Sequence, residues 1–252
     1  QIIATDLKDK EDSVGIFEFM DVLNVDRVER IIEKYEVTQI YHLAALLSSR
    51  GEDNPALTWK INLDAYLSIL HLAHKHKIEK IFFPSTIGVY GPTTPRHNTP
   101  QNTSFIPGTV YGISKITGEL WSQYYRNRFG MDIRGIRYPG VISYSHLPVG
   151  RTTDYAVEIF FEAMKNKKYE CFLKADTRLP MVYMPDVLKA TLDLMAAPAK
   201  DISISYAYNI SGFSLTPNEL YEAIKVHIPE MTISYVPDDR QKIADSWSET
   251  ID

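Results

Sequence analysis

The chain has 252 residues, 44% hydrophobic and 23% charged, enough for one substantial core or a core with a smaller lobe. A net charge of -5 and a pI near 5.8 argue against nucleic acid or an anionic membrane as a partner, and no apolar run approaches the ~18 residues of a bilayer span. The single cysteine, Cys171, cannot close an internal disulfide, which fits a reducing, cytoplasmic setting; its neighbours Tyr-Glu-Cys-Phe-Leu predict a short strand with the thiol as core filler.

In chain order, Ile2 to Asp6 predicts a buried strand ending in a carboxylate, and Ile16 to Val22 a second, with Asp21 near its end. Val25 to Glu36 has helical spacing in Val28, Ile31, Ile32 and Tyr35. Gln39 to Ala45 is an apolar strand, Asn54 to Lys77 a long helix opening at Asn-Pro, and Lys80 to Ser85 another strand. The 22 residues from Ile87 to Gly108, with four prolines, form a loop of a length usually tied to function. A helix then runs from Thr109 to about Phe129, its apolar residues Ile113, Ile116, Leu120, Trp121, Tyr124 and Tyr125 at amphipathic period. The strand Asp132 to Ile142 and the helix Thr153 to Lys168 complete an α/β alternation that implies a doubly wound parallel sheet covered on both faces.

Beyond Tyr169 the elements shorten, with strands at Tyr169 to Leu173, Met181 to Met184, Tyr206 to Ile210 and Thr232 to Val236. Helices are expected at Asp186 to Ala197 and Asn218 to Ile228, the second capped by Thr216 with Pro217 at its first position. The division expected is 1–168 for a nucleotide-binding domain and 169–252 for a smaller, interleaved substrate-binding lobe, with no closing helix.

Tyr111 and Lys115 stand one turn apart on one helix face. A free phenol titrates near ~10, so work as a base at neutral pH needs a neighbouring cation, and a drop of about three units takes roughly 4 kcal/mol. Ligands of doubly wound sheets sit at the carboxyl ends of the strands. There the chain carries Asp6, His42-Leu43-Ala44-Ala45, Ser85-Thr86 and Tyr138-Pro139-Gly140. Singly, each is equally a turn cap, a packing alanine or a loop hydroxyl. His71, His74 and His76 lack metal-ligand spacing and are expected to be a solvated face, so no metal site is expected.

Taken together, Leu43-Ala-Ala-Leu-Leu-Ser48, Pro84-Ser-Thr-Ile-Gly-Val-Tyr-Gly-Pro92, Thr109-Val-Tyr-Gly-Ile-Ser-Lys115 and Arg137-Tyr-Pro-Gly140 resemble the extended short-chain dehydrogenase/reductase family. Thr152-Thr-Asp-Tyr-Ala-Val157, Leu179-Pro-Met-Val-Tyr-Met184, Phe213-Ser-Leu-Thr-Pro217 and Arg240-Gln-Lys-Ile-Ala-Asp-Ser-Trp247 narrow the resemblance to its epimerase-like L-threonine 3-dehydrogenases. The resemblance implies a Rossmann-like fold and NAD-linked oxidation of L-threonine to 2-amino-3-oxobutyrate. It makes Tyr111 the general base, Lys115 the group that lowers its pKa and binds the nicotinamide ribose, and Thr86 the hydroxyl on the reacting oxygen. Asp6, Asp21, Val22, Leu43, Ala44, Ala45, Asn62, Tyr138 and Pro139 would line the cofactor. Ser48, Thr152, Thr153 and Trp247 would surround the amino acid.

It also implies a homodimer built on the two long helices, with Trp59, Tyr66 and Tyr125 at the interface or in the core. Asp6 favours NAD over NADP because a carboxylate repels a 2'-phosphate, although Lys8 and Lys10 lie nearby.

Two departures stand out. The family's Gly-x-x-Gly-x-x-Gly phosphate loop precedes the strand that begins at Gln1, so the chain is expected to be a fragment. Pro148-Val-Gly-Arg151 replaces the usual run of glycines, and Arg151 either narrows the pocket or binds the substrate carboxylate. Two competing readings are a nucleotide-sugar epimerase or dehydratase, which needs basic residues for a diphosphate, and a truncated, non-catalytic relative.

Overall fold

The computed structural model describes residues 1–8, 15–145, 147 and 150–252; Lys10, Pro148 and Val149 lie outside them. Strand β1 (Ile3–Asp6) pairs in parallel with β2 (Ile16–Phe19), and helix α1 (Val25–Lys34) follows, capped by Asn24 accepting from the Arg27 N–H. Neither strand is buried as expected: each is half-exposed, because among the described residues β1 has β2 alone as its neighbour.

Strand β3 (Gln39–Tyr41) stops short of the Ala45 expected, and the residues after it turn into a helix not predicted, α2 (Ser48–Asp53). The long helix predicted from Asn54 is α3 (Pro55–Trp59) and α4 (Ala65–Lys75) joined by a π turn at Lys60–Asp64. Such a turn admits an extra residue per coil and occurs often at functional sites. Here it holds Asn62, buried, with its amide facing inward. Strand β4 (Lys80–Thr86), helix α5 (Val110–Phe129) and strand β5 (Ile133–Tyr138) follow, and β6 (Gly140–Ile142) is set off from β5 at Pro139. Proline has no N–H for the ladder, which breaks the single strand predicted there.

Helix α6 (Tyr155–Lys165), β7 (Lys168–Cys171), β8 (Leu179–Tyr183), α7 (Met184–Ala196), β9 (Tyr208–Asn209), β10 (Phe213–Leu215), α8 (Pro217–Lys225), β11 (Thr232–Tyr235) and α9 (Asp239–Asp245) complete the chain. The predicted cap of α8 is a reciprocal capping box between Thr216 and Glu219. Strand β10 and the closing helix α9 escaped prediction, being three and seven residues long with little periodicity.

The central sheet is parallel, in the order β3-β4-β5-β9, with Ser85 beside Arg137 and Thr86 beside Tyr138. Strands β6, β8 and β10 form a second sheet, and β7 pairs with β11. One apolar cluster, holding Tyr66, Leu70, Ile81, Phe83 and Ile133, lies between the central sheet and α1, α4 and α5. Tyr66 is fully buried in it, stacked on Phe83, and so is core rather than interface. A larger cluster joins Tyr90, Tyr155, Ile159, Cys171, Leu179, Leu220 and Trp247. Helix α6 thus packs with residues of β7, β8 and α8.

Helix α5 reverses the pattern predicted for it. Its buried stripe is Tyr111, Ser114, Lys115, Gly118, Glu119 and Ser122, while Ile113, Leu120, Trp121 and Tyr124 are exposed. Gly118 permits this, since a Cβ there would stand 2.4 Å from the Phe83 ring. Each buried polar group finds a partner: Ser122 bonds the Tyr66 hydroxyl at 2.6 Å, Ser114 donates to the Tyr111 carbonyl, and Glu119 meets Arg137.

Candidate active site

Tyr111 is the second residue of α5, placed by two local devices. Thr109 caps the helix by accepting from the Gly112 N–H at 3.1 Å. Gly112 lets the first turn press on the loop after β4, because a Cβ there would stand 2.1 Å from the Gly88 carbonyl oxygen. The phenol thereby meets Thr86 at the carboxyl end of β4. Thr86 accepts from the Gly88 N–H at 3.1 Å and hydrogen-bonds the Tyr111 side chain. Of the two hydroxyls offered by Ser85 and Thr86, the structure brings only the second to the tyrosine; Ser85 donates to Glu119 inside the core.

The electrostatics differ from expectation. Burial pushes the Tyr111 phenol above its ordinary value; the Thr86 hydrogen bond and the Arg151 charge oppose that rise, and Lys115 has no part in it. Lys115 donates to the Pro84 carbonyl at 2.8 Å, with its Nζ 5.9 Å from the Tyr111 ring centre and 4.8 Å from that of Phe83. Burial brings its own pKa down to about 7, against the pull of Glu119. An amine that is half neutral at pH 7 is a weak partner for a phenolate.

A stability consequence follows. Between pH about 7 and the ordinary 10.5, the unfolded chain holds a proton on Lys115 that the folded chain has released. The native state therefore gains stability as pH rises through that window, at up to about 1.4 kcal/mol per pH unit. Lys115→Met removes the effect. We expect the stability advantage of this variant over the parent to shrink steadily from pH 7 to pH 10 in denaturant titrations; a pH-independent difference would mean that Lys115 stays charged when folded.

The other predicted residues divide. Asn62 accepts from the Leu46 N–H at 2.7 Å, donates to the Leu46 carbonyl at 2.9 Å and to Ser114 at 3.2 Å, so it positions the loop after β3. That loop carries Leu43, exposed, and Ala44 and Ala45, half-buried. His42 before them is buried with Nε2 unpartnered; burial, aided by the Lys115 charge, brings its pKa down to about 3. Asp6 accepts from the Lys8 N–H at 3.2 Å and Asp21 from the Leu23 N–H at 2.9 Å. Val22 is half-buried beside Asp21. An open cavity of about 520 Å³ lies not at Tyr111 but beyond β2, lined by Asp21, Leu23, Asn24, Val25 and Asp26. Tyr138 hydrogen-bonds Thr191 on α7, and Pro139 is buried next to it.

Ser48 and Thr152 are buried and bonded to each other at 3.2 Å, and Thr153 packs on Gly140. Trp247 is 5% exposed in the larger apolar cluster, where packing alone accounts for it. The predicted histidines separate: His76 bonds Glu29 at 2.5 Å, His74 lies against Phe129, and His71 is exposed. Glu29, Glu33 and His76 do converge at the surface, but Glu29 also pairs with Lys75 at 2.7 Å.

Small residues after β3, hydroxyls at the ends of β4 and β5, a buried lysine and a strand-end aspartate fit the nicotinamide and ribose portions of a dinucleotide. The sequence holds no Gly-x-x-Gly-x-x-Gly run for the pyrophosphate. Residues 3–211 match the NAD dependent epimerase/dehydratase family. The chain belongs to that family. It is 44% identical to the mitochondrial L-threonine 3-dehydrogenase of Bos taurus, over the whole chain and 68% of that protein. The holo form of a GalE-like L-threonine dehydrogenase from Cupriavidus necator superposes with a TM-score of 0.97 at 44% identity, over 99% of this chain and 82% of that one. A monomeric L-threonine 3-dehydrogenase from a metagenome matches at 44% identity and a TM-score of 0.96, over 99% and 80%. The parallel sheet that carries Thr86 and lies against the helix of Tyr111 and Lys115 is thus shared with these dehydrogenase structures. No helix among the described residues is long and apolar enough to cross a membrane.

Proposed function

We propose that the chain is an NAD-dependent L-threonine 3-dehydrogenase. The observation that carries this is the meeting of Tyr111, Thr86 and Lys115 at the carboxyl end of β4, in a chain 44% identical throughout to proteins named for that activity. When bound, NAD supplies a hydride acceptor. Tyr111 takes the proton of the substrate's 3-hydroxyl, Thr86 holds that oxygen, and the C3 hydrogen leaves with its electron pair as the C3–O bond becomes a carbonyl. Lys115 binds the nicotinamide ribose, and Asp6 takes the adenosine ribose hydroxyls, favouring NAD. Asp21, Val22, Leu43, Ala44, Ala45, Tyr138 and Pro139 line the cofactor, with Asn62 holding the loop that carries three of them. Ser48, Thr152 and Thr153 shape the amino-acid pocket.

The epimerase reading has less support. Its diphosphate needs grouped cations, yet Arg178 pairs with Glu219 at 2.5 Å, Arg240 with Asp238 at 2.6 Å, Lys189 with Asp193 and Lys174 with Asp245 at 3.9 Å. The same proposal includes a homodimer through the exposed face of Trp59, Ile113, Leu120, Trp121 and Tyr124, and a cytoplasmic location in keeping with the single buried thiol. Sedimentation and cell fractionation test these two.

The activity is tested by reduced-nicotinamide formation with NAD and, separately, L-threonine, L-serine and a UDP-sugar. Signal with L-threonine alone is expected. Turnover of the UDP-sugar would favour the epimerase reading, and silence in every well together with no NAD binding would favour the non-catalytic one.

A further inference from the structure

Arg151 holds a charge at the site that the fold does not use. Its position is built from the backbone outward. Asp154, 4% exposed, accepts from the Gly150 N–H at 2.8 Å and from the Arg151 N–H at 2.6 Å. On the other side, Ser49 donates to the Gly150 carbonyl and Ser48 bonds Thr152 at 3.2 Å, tying the segment to α2. The chain on either side of Arg151 is therefore pinned, and the guanidinium projects from a fixed base.

Among the described residues the guanidinium has no hydrogen-bond or ion-pair partner. Nε is buried and without a hydrogen-bond partner, and among the described residues no carboxylate lies within ion-pair distance of the side chain. The two fully buried arginines are satisfied, Arg134 by Asp132 at 2.6 Å and Arg137 by Glu119 at 2.7 Å, whereas half-buried Arg151 is not. A partly desolvated guanidinium left unpaired is costly, and its fork of donors matches a carboxylate. The helix to which this segment is tied borders the tyrosine, since a Cβ on Gly51 of α2 would stand 3.8 Å from the Tyr111 Cβ, and the Arg151 charge accordingly favours the phenolate.

The substrate class supplies the missing anion. In an L-2-amino-3-hydroxy acid the carboxylate carbon is two bonds from the carbon whose hydroxyl Tyr111 engages. A cation held on a segment tied to α2, the helix that borders Tyr111, is placed on the side of the pocket where that carboxylate would lie.

We infer that Arg151 is the carboxylate receptor of the amino-acid pocket, selecting a free 2-amino-3-hydroxy acid over the corresponding amino alcohol. The inference rests on the dehydrogenase reading above.

The test compares the parent chain with Arg151→Ala and Arg151→Lys, on L-threonine and on L-threoninol, which keeps the amine and 3-hydroxyl but has a hydroxymethyl group in place of the carboxylate. Calorimetric binding and steady-state turnover are both read. We expect Arg151→Ala to weaken L-threonine binding and raise its KM at least tenfold, Arg151→Lys to recover part of the loss, and L-threoninol to be handled alike by all three. Equal losses on both compounds would overturn the inference and reduce Arg151 to a partner of Tyr111 or a structural residue; so would no loss on either. A parent chain that turns over L-threonine while the variants match it sinks the inference alone. A parent chain that neither binds nor oxidises L-threonine sinks the dehydrogenase reading and this inference with it.

Discussion

Tyr111→Phe is expected to lower kcat/KM for L-threonine by about 10³-fold or more, the upper part of the range for a positioned acid or base. The fold should be little affected. Thr86 keeps the Gly88 N–H when the phenol oxygen is removed, and the hydroxyl lost was itself buried at a cost. A neutral hydrogen bond of this kind contributes about 1 kcal/mol, so thermal melting should shift by only a few degrees. Cofactor binding should also persist, because Lys115 is held by the Pro84 carbonyl rather than by the phenol. The measurements are initial rates with L-threonine and NAD, a melting curve, and NAD binding by fluorescence. A variant retaining a tenth or more of parental activity would remove Tyr111 from proton transfer.

Glu119→Gln carries the largest expected effect on stability. Glu119 is 1% exposed and Arg137 fully buried, joined by bonds of 2.9 Å and 2.7 Å from Nε and Nη2. Arg137 also donates to the Gln101 carbonyl at 2.9 Å and to Asn209 at 3.1 Å, and Ser85 donates to Glu119. The network thus joins α5, β4, β5, β9 and the proline-rich loop directly beneath the site. Burial alone would lower the Arg137 pKa, but Glu119 outweighs it and holds the group above its ordinary value. Neutralising Glu119 strands that charge in the core, which costs about 3–5 kcal/mol. The expected fall in melting temperature is roughly 10 °C. Replacing both partners, as Glu119→Leu with Arg137→Met, should cost much less, since no uncompensated charge remains. A single variant that loses under about 1 kcal/mol would show that water reaches the pair.

These two residues share a helix, and that helix shows how far the sequence could be read. The Tyr111 and Lys115 spacing and the start and end of α5 are local matters of backbone and period, and they were legible. So were the parallel direction of β3, β4 and β5, written in short apolar runs alternating with helices, and the cap at Thr216. The orientation of α5 was not. Hydrophobic period assigns the inner face to Leu120, Trp121 and Tyr124, but the sheet receives Ser114, Gly118, Glu119 and Ser122. That choice depends on a close approach to Phe83 and on partners at Arg137, Asn62 and Tyr66, residues 18 to 56 positions away.

What the sequence by itself determined was therefore the architecture, the family and the chemical types at the strand ends, because these follow from periodicity, turn residues and short motifs. What only the tertiary structure decided was which of those groups meet. It turned Ser85 inward to Glu119, gave Asn62 and Trp247 supporting positions, and brought Arg151 rather than Lys115 to bear on Tyr111. The physical reason is that ionisation and pairing are set by burial and by neighbours distant in sequence. Lys115 loses its charge advantage through desolvation, and Arg151 reaches the site through a segment fixed by Asp154 and Ser49.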